Sequence, residues 1–372
     1  MNSTAQNYSP WLHRFVVATA VATFLLLGSG GLVTSHEAGM SVPDWPNTYD
    51  YNMFAFPYSK WVGGIFYEHT HRLLASGIGL LTTVLAFWLW CKDARRWMRW
   101  LGVLAFVLVA LQGVLGGLRV TLHMDKLGIV HGALAQLFFV LICALALFTS
   151  RWWQNDGRDA PPSVPNLNDE AAQQRGPTMQ SLKWLVLFTT ILIFLQLMLG
   201  ATMRHQHAGL AIPDFPAAYG KIWPDTSAAA VARYNADRME VISENPITAF
   251  QIILQMVHRM VALAIFIGVA VCAWQAWRQL GKKDALTRLA LFWLALIAVQ
   301  IALGAWTIWS NKAADVATAH VLIGALALVT GAIWCIIAFG PTVAAFCERR
   351  ASARRSPIAA PVGTRPAMVG NK

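Results

Sequence analysis

The sequence predicts an all-α membrane protein, with eight transmembrane helices arranged as two tandem pseudo-symmetric four-helix bundles. Three observations predict it. Of 372 residues, 56% are hydrophobic and only 13% are charged, a balance typical of polytopic membrane proteins rather than soluble domains. Eight apolar stretches are each long enough to cross a hydrocarbon core about 30 Å thick. The two halves of the chain also repeat the same motifs in the same order.

The spans fall at 12–34, 70–90, 99–120, 128–149, 182–203, 250–276, 289–309 and 315–341. The first lacks a strongly basic leader and runs too long for a signal peptide, so it reads as a membrane helix. Orientation follows from Lys and Arg in the loops. Segments 91–100, 150–183 and 277–288 carry four each, and the tail after 341 carries six. Opposite them, 35–67 has only Lys60, 121–127 only Lys126 and 310–314 only Lys312. The loop 204–249 carries four, but long loops weigh little in this rule. Both termini are therefore expected in the cytoplasm. No Arg- and Ser-rich transit segment precedes the first span, which favours a bacterial plasma (inner) membrane. The net charge of +11 reflects this loop bias. No basic patch interleaved with base-stacking aromatics lies outside the spans, so nucleic-acid binding is not expected.

Five cysteines, Cys91, Cys143, Cys272, Cys335 and Cys347, fall in spans or near the cytoplasmic side. No outer loop holds one, so no extracytoplasmic disulfide is expected. The chain also lacks CxxCH, the attachment site of covalent c-type haem.

The repeat divides the chain. AGMSVPDWP at 38–46 matches AGLAIPDFP at 208–216, an offset of 170. HRLLA at 71–75 matches HRMVA at 258–262, an offset of 187, and His131 matches His320, an offset of 189. The second half thus has a longer first outer loop, by about 17 residues. Gln-x-x-Leu-Gly recurs at 112–116, 196–200 and 300–304, where Gly allows close approach of a helix or a flat ligand. The expected units are an N-terminal bundle over 1–150, a cytoplasmic linker over 151–181, a C-terminal bundle over 182–341 and a basic tail over 342–372. The paired PDWP and PDFP loops read as turns that cap each bundle, with Trp45 and Phe215 at the interface.

Four histidines stand at one depth. His71 lies 21 residues before Lys92, His131 20 before Arg151, His258 20 before Arg278 and His320 21 before Pro341. At about 1.5 Å per residue each imidazole sits roughly 30 Å from the basic side, toward the outer face. An unpaired imidazole is costly in hydrocarbon, and imidazole is a preferred axial ligand of haem iron. A lone membrane histidine is more often a satisfied core residue. Four at one depth, related by a repeat, point instead to two bis-histidine haem sites, each between facing helices of one bundle.

The halves differ beside these ligands. Glu68-His69-Thr70-His71-Arg72 is answered by Gln255-Met256-Val257-His258-Arg259. Glu68 shares a helical face with His71, where a partly desolvated carboxylate can carry protons or stabilise developing positive charge. The plainer reading is an ion pair with Arg72 at i,i+4. Arg72 and Arg259 are expected either to pair with haem propionates or to reach lipid headgroups. His69 faces another way and competes weakly with His71. His36, His123, His205 and His207 occupy outer loops, where most histidines are merely solvated.

These residues resemble the haem A synthase family. The resemblance rests on Glu-x-x-His-Arg in the second span, single histidines in the fourth, sixth and eighth, and the duplicated four-helix plan, over roughly 12–341. It implies oxidation of haem O to haem A, the C8 methyl becoming a formyl group, for use in terminal oxidases. His71 and His131 with catalytic Glu68 would then form the substrate site, and His258 and His320 would ligate haem b. Haem O synthase, cytochrome oxidase assembly factors and a membrane electron donor are the implied partners. Some family members carry a cysteine pair in the first outer loop. This chain resembles the cysteine-free branch, so no thiol step carries over. The competing readings are a dihaem b-type cytochrome in quinol-linked electron transfer and a haem transporter or chaperone.

Overall fold

The computed structural model describes residues 8–124, 126–155, 169–238 and 246–339, with backbone alone at 155 and over 169–179. The tail 342–372 with Cys347, and much of the linker 151–181, lie outside the described residues. Within them the chain is helical, with two isolated β-bridges and no strand. The helices are α1 Pro10–Ser35, α2 Gly63–Lys92, α3 Arg96–Thr121, α4 Lys126–Thr149, α5 Arg151–Asn155, α6 Asp169–His205, α7 Ala228–Ala236, α8 Ala249–Leu280, α9 Ala285–Trp309 and α10 Ala314–Phe339. All except α5 and α7 contain a stretch long and apolar enough to cross a membrane.

The helix ends show why the elements begin where they do. Ser9 accepts the N–H of Leu12 at 3.4 Å with Pro10 opening α1, and Pro fits a first turn whose N–H groups have no helical partner. Thr248 and Gln251 close a reciprocal capping box on α8, while Asp284 caps α9. Two elements depart from expectation. Helix α2 starts seven residues before the predicted span, which brings Glu68 and His69 inside it. Helix α7 arises in the long loop between α6 and α8 from an alanine-rich stretch capped by Ser227, and Tyr234 on it stacks on Tyr219 with centroids 3.6 Å apart.

Helices α1 to α4 pack in a closed ring, as do α6, α8, α9 and α10. The rings meet through α1, α4, α6 and α10, with α10 touching both α1 and α4. Lipid tails are as apolar as leucine, so association here depends on close packing rather than on expulsion of water. Small residues provide it. A Cβ added to Gly31 would lie 2.9 Å from Thr318 Cγ2, and one on Gly331 would lie 2.7 Å from Trp293 Cζ2. Trp293 and Trp334 are fully buried in the second ring, and their indole N–H groups donate to Ala327 O at 2.8 Å and Leu286 O at 3.1 Å. Those bonds matter because an unpartnered buried N–H is expensive. Side chains also tie the rings directly: Arg204 on α6 donates to Gly31 O at 2.9 Å and Ser35 Oγ at 2.7 Å on α1, and Ser35 Oγ lies 3.3 Å from Thr318 Oγ1 on α10.

The repeat extends into the loops that precede α2 and α8. Asp44 accepts the N–H groups of Tyr49 and Asp50, each at 2.8 Å, and Asp214 accepts those of Tyr219 at 2.7 Å and Gly220 at 2.9 Å. Tyr49 and Tyr219 donate their hydroxyls to Ser41 O and Ala211 O. The bridges Thr48–Tyr51 and Ala218–Lys221 match, as do the cis peptides before Pro46 and Pro216. The carboxylate of PDWP and PDFP therefore organises a turn, taking two N–H groups that the turn would otherwise leave unpaired.

Candidate functional site

Each of the four histidines falls within the first ten residues of its helix: His71 on α2, His131 on α4, His258 on α8 and His320 on α10. Each ring is half-buried and rests its edge on a glycine of the neighbouring helix. A Cβ on Gly30 would lie 3.0 Å from His71 Cε1, and one on Gly304 would lie 3.2 Å from His320 Cε1. For Gly116 against His131 and Gly200 against His258 the distance is 3.5 Å. At Gly30 and Gly304 an added Cβ would crowd the ring, whereas at Gly116 and Gly200 it would stand in ordinary contact with it. The glutamine of the Gln-x-x-Leu-Gly motif has a matching task. Gln112, Gln196 and Gln300 donate Nε2–H to the backbone carbonyls of His131 at 3.1 Å, His258 at 2.8 Å and His320 at 2.8 Å. The motif thus grips both the backbone and the ring edge of a histidine on the next helix. Sequence reading found the motif but not its target, because the target lies across a helix pair.

In the second half the His258 and His320 ring centroids are 6.5 Å apart. A metal–imidazole nitrogen bond is about 2 Å long, and a ring centroid lies about 1.2 Å behind its nitrogen. Two imidazoles on opposite faces of one metal would then place their centroids roughly 6.4 Å apart. The observed spacing fits that arrangement. Among the described residues no three His, Cys, Asp or Glu side chains converge to hold a metal ion. Two imidazoles alone would leave a metal under-coordinated, whereas a haem brings four equatorial nitrogens of its own and needs only axial ligands. The donor set fits haem.

Glu68 is 4% exposed. Its Oε2 accepts the N–H of Val42 at 2.8 Å, and its Oε1 accepts Arg72 at 2.7 Å. Gln255 does the same work in the second half, its Oε1 accepting the N–H of Ile212 at 2.7 Å. Arg72 and Arg259, for which the sequence suggested propionates or headgroups, are hydrogen-bonded to the loops. Arg72 donates to Asp44 O at 2.6 Å, Asn47 O at 3.1 Å and Val42 O at 2.8 Å. Arg259 donates to Ala217 O at 2.8 Å and Asp214 O at 2.7 Å. Each arginine pins a capping loop over its bundle, a bidentate task that suits a planar guanidinium.

The remaining histidines separate from the four. His69 is fully buried beneath the first loop, with Nδ1 3.1 Å from Thr48 Oγ1 and its ring against Phe56 and Trp61. It holds that loop down. His36 stacks on Tyr67 at 3.9 Å, and His205 packs against Gly128 at the start of α4. His207 lies 3.8 Å from Glu37 at an exposed position, and His123 is exposed. Nothing in the sequence pattern singles out Ser29 on α1, whose Oγ lies 2.7 Å from His71 Nδ1. A single serine in an apolar run carries no motif.

Comparison with known proteins shows the family. Residues 50–332, well over half the chain, match the family model described as cytochrome oxidase assembly protein. A heme A synthase of Lysinibacillus sphaericus is 23% identical over 85% of this chain and 91% of its own length. One from Rhizorhabdus wittichii is 28% identical over 87% of this chain and 92% of its own. A third, from Geobacillus kaustophilus, is 24% identical over 83% of this chain and 86% of its own. With duplicated histidine pairs on a duplicated four-helix plan, the chain belongs to the haem A synthase family of cytochrome oxidase assembly proteins.

Proposed function

We propose that this protein is a haem A synthase, an oxidoreductase that converts the C8 methyl of haem O to a formyl group and so supplies haem A for terminal oxidases. The observation that carries the reading is a pair of histidine sites built alike but unequal at one charged position, Glu68 against Gln255. In this reading the bundle before residue 151 takes haem O between His71 and His131. The bundle over 182–341 holds haem b between His258 and His320, and haem b when bound supplies one-electron transfer. The haem sites lie toward the outer face of a bacterial plasma membrane, with both termini cytoplasmic. Haem O synthase, oxidase assembly factors and a membrane electron donor are the natural partners of such an enzyme.

The chain's own residues define the rest. Oxidising a methyl carbon to the aldehyde level removes protons in successive two-electron steps, so a proton acceptor beside the substrate is needed. Glu68 fills that role. A carboxylate offers about four acceptor positions, and the two bonds to Val42 and Arg72 leave capacity for a proton or for a developing positive charge. Arg72 and Arg259 serve as anchors that keep the loops over the two sites.

A dihaem cytochrome carrying electrons across the membrane would need haems toward both faces. Here the four histidines lie near the starts of α2, α4, α8 and α10, alternate spans that enter from one side. A haem carrier has no use for the Glu68/Gln255 difference. Extraction of the haems from purified protein with mass analysis tests the reading. Haem B together with haem O or haem A is expected, with His71→Ala losing only the O/A-type haem and His258→Ala only haem B. Two haem B per chain would sink it in favour of the cytochrome, and the reverse pattern of losses would overturn the assignment of halves.

A further inference from the structure

The two sites differ at a second place, on the helix behind the first ligand of each. At the offset of 170, α1 aligns with α6 so that Leu26 stands against Gln196, Ser29 against Leu199 and Gly30 against Gly200. Gln196 tethers the backbone of His258, and Leu26 has no donor with which to do the same for His71. Ser29 instead reaches the ring itself, its Oγ 2.7 Å from His71 Nδ1. The corresponding Nδ1 atoms of His131, His258 and His320 are buried without a hydrogen-bond partner. Of the four rings, His71 alone is held by a side chain at its rear nitrogen, while its edge rests on Gly30.

We propose that Ser29 is a positioning residue that makes His71 the firmly held axial ligand of the first-half site; the inference rests on the reading of His71 as a haem ligand. When Nε2 faces the iron, Nδ1 carries the proton and donates it in a hydrogen bond to Ser29 Oγ. Such a rear partner fixes the tautomer and ring orientation and raises the basicity of the ligand. The second half carries Leu199 at this place and lacks the device. The first-half iron therefore meets one stronger imidazole and one ordinary one, while the second-half iron meets two ordinary ones.

The test uses the full-length protein in detergent, with the ferric low-spin electron paramagnetic resonance signals and the haem retained per chain as readouts. Ser29→Ala should shift only the signal that His71→Ala removes, and weaken haem retention at that site about 10- to 100-fold, the usual effect of losing a ligand's rear partner. Ser29→Thr, which keeps the hydroxyl, should restore both. If Ser29→Ala fails to fold, Ser29→Cys keeps the shape while weakening the bond, and the same shift is expected. An unchanged signal and unchanged retention in the Ala or Cys variant, with His71→Ala still removing one signal, would overturn the role of Ser29 alone. Both signals surviving in His71→Ala would overturn the ligand reading, and this inference with it.

Discussion

The carboxylate of Glu68 accepts the backbone N–H of Val42 at 2.8 Å, tying the loop between α1 and α2 to α2 across 26 residues of chain. Gln255 makes the same bond to Ile212 at 2.7 Å in the second half. An amide oxygen is therefore sufficient to hold the loop, and the negative charge of Glu68 is surplus to that task. Its ion pair with Arg72 at 2.7 Å is the plain reading of the sequence, and the proton role is laid over it.

This equivalence separates structure from chemistry in a single substitution. Glu68→Gln should keep the Val42 bond, the fold and both haems, and lose oxidation of haem O by at least about 100-fold, the scale of a missing general base. Glu68→Ala should lose oxidation and also loosen the loop, at a cost of about 1–3 kcal/mol for the unpartnered Val42 N–H. Product analysis by mass, alongside thermal unfolding, checks both. Normal haem A formation by the Gln variant would remove Glu68 from the chemistry.

The glycine contacts make a sharper demand. In Gly304→Val the first added carbon already lies 3.2 Å from His320 Cε1, and the branches come closer still. Overpacking of this kind costs about 1–3 kcal/mol, and it displaces the ring of His320. Haem content of the purified variant should fall from the second site while the first site stays filled. Equal loss from both sites would show that the contact serves general packing instead.

Alkaline pH should act on the second loop through Tyr219. Burial, then the neighbouring Tyr234, pushes this phenol from its ordinary value of 10.0 up to about 12. A raised value means the folded loop favours the neutral phenol, which donates to Ala211 O. That stabilisation is complete below pH 10 and is lost as pH rises through about 12. Phenolate absorbance, differenced against Tyr219→Phe, should show one group titrating near the upper value. Titration of that group at its ordinary value would contradict the buried position.

The eight spans, the repeat and the four histidines were all legible in the chain, because hydropathy over some twenty residues and motif spacing are one-dimensional signals. What stayed hidden depends on contacts across helices. Arg72 and Arg259 read as interfacial cations, and only the returning loops supply the carbonyls they bind. His69 looked like a rival of His71, and the burial that sets it apart comes from Phe56, Trp61 and Thr48 folding over it. The glutamines were visible as a motif, but their partners are histidine carbonyls on another helix. The alanine-rich α7 was missed because it lacks the apolar period of a span.

Four imidazole edges resting on four glycines have a consequence for how a flat ligand is received. Immobilising a side chain at binding costs roughly 0.5–1.5 kcal/mol. At Gly30 and Gly304 the backbone of the neighbouring helix confines the rings of His71 and His320 on one side, so part of that ordering is settled when the protein folds. Under the proposed reading, a site prepared in this way leaves less ordering to be done when a haem binds.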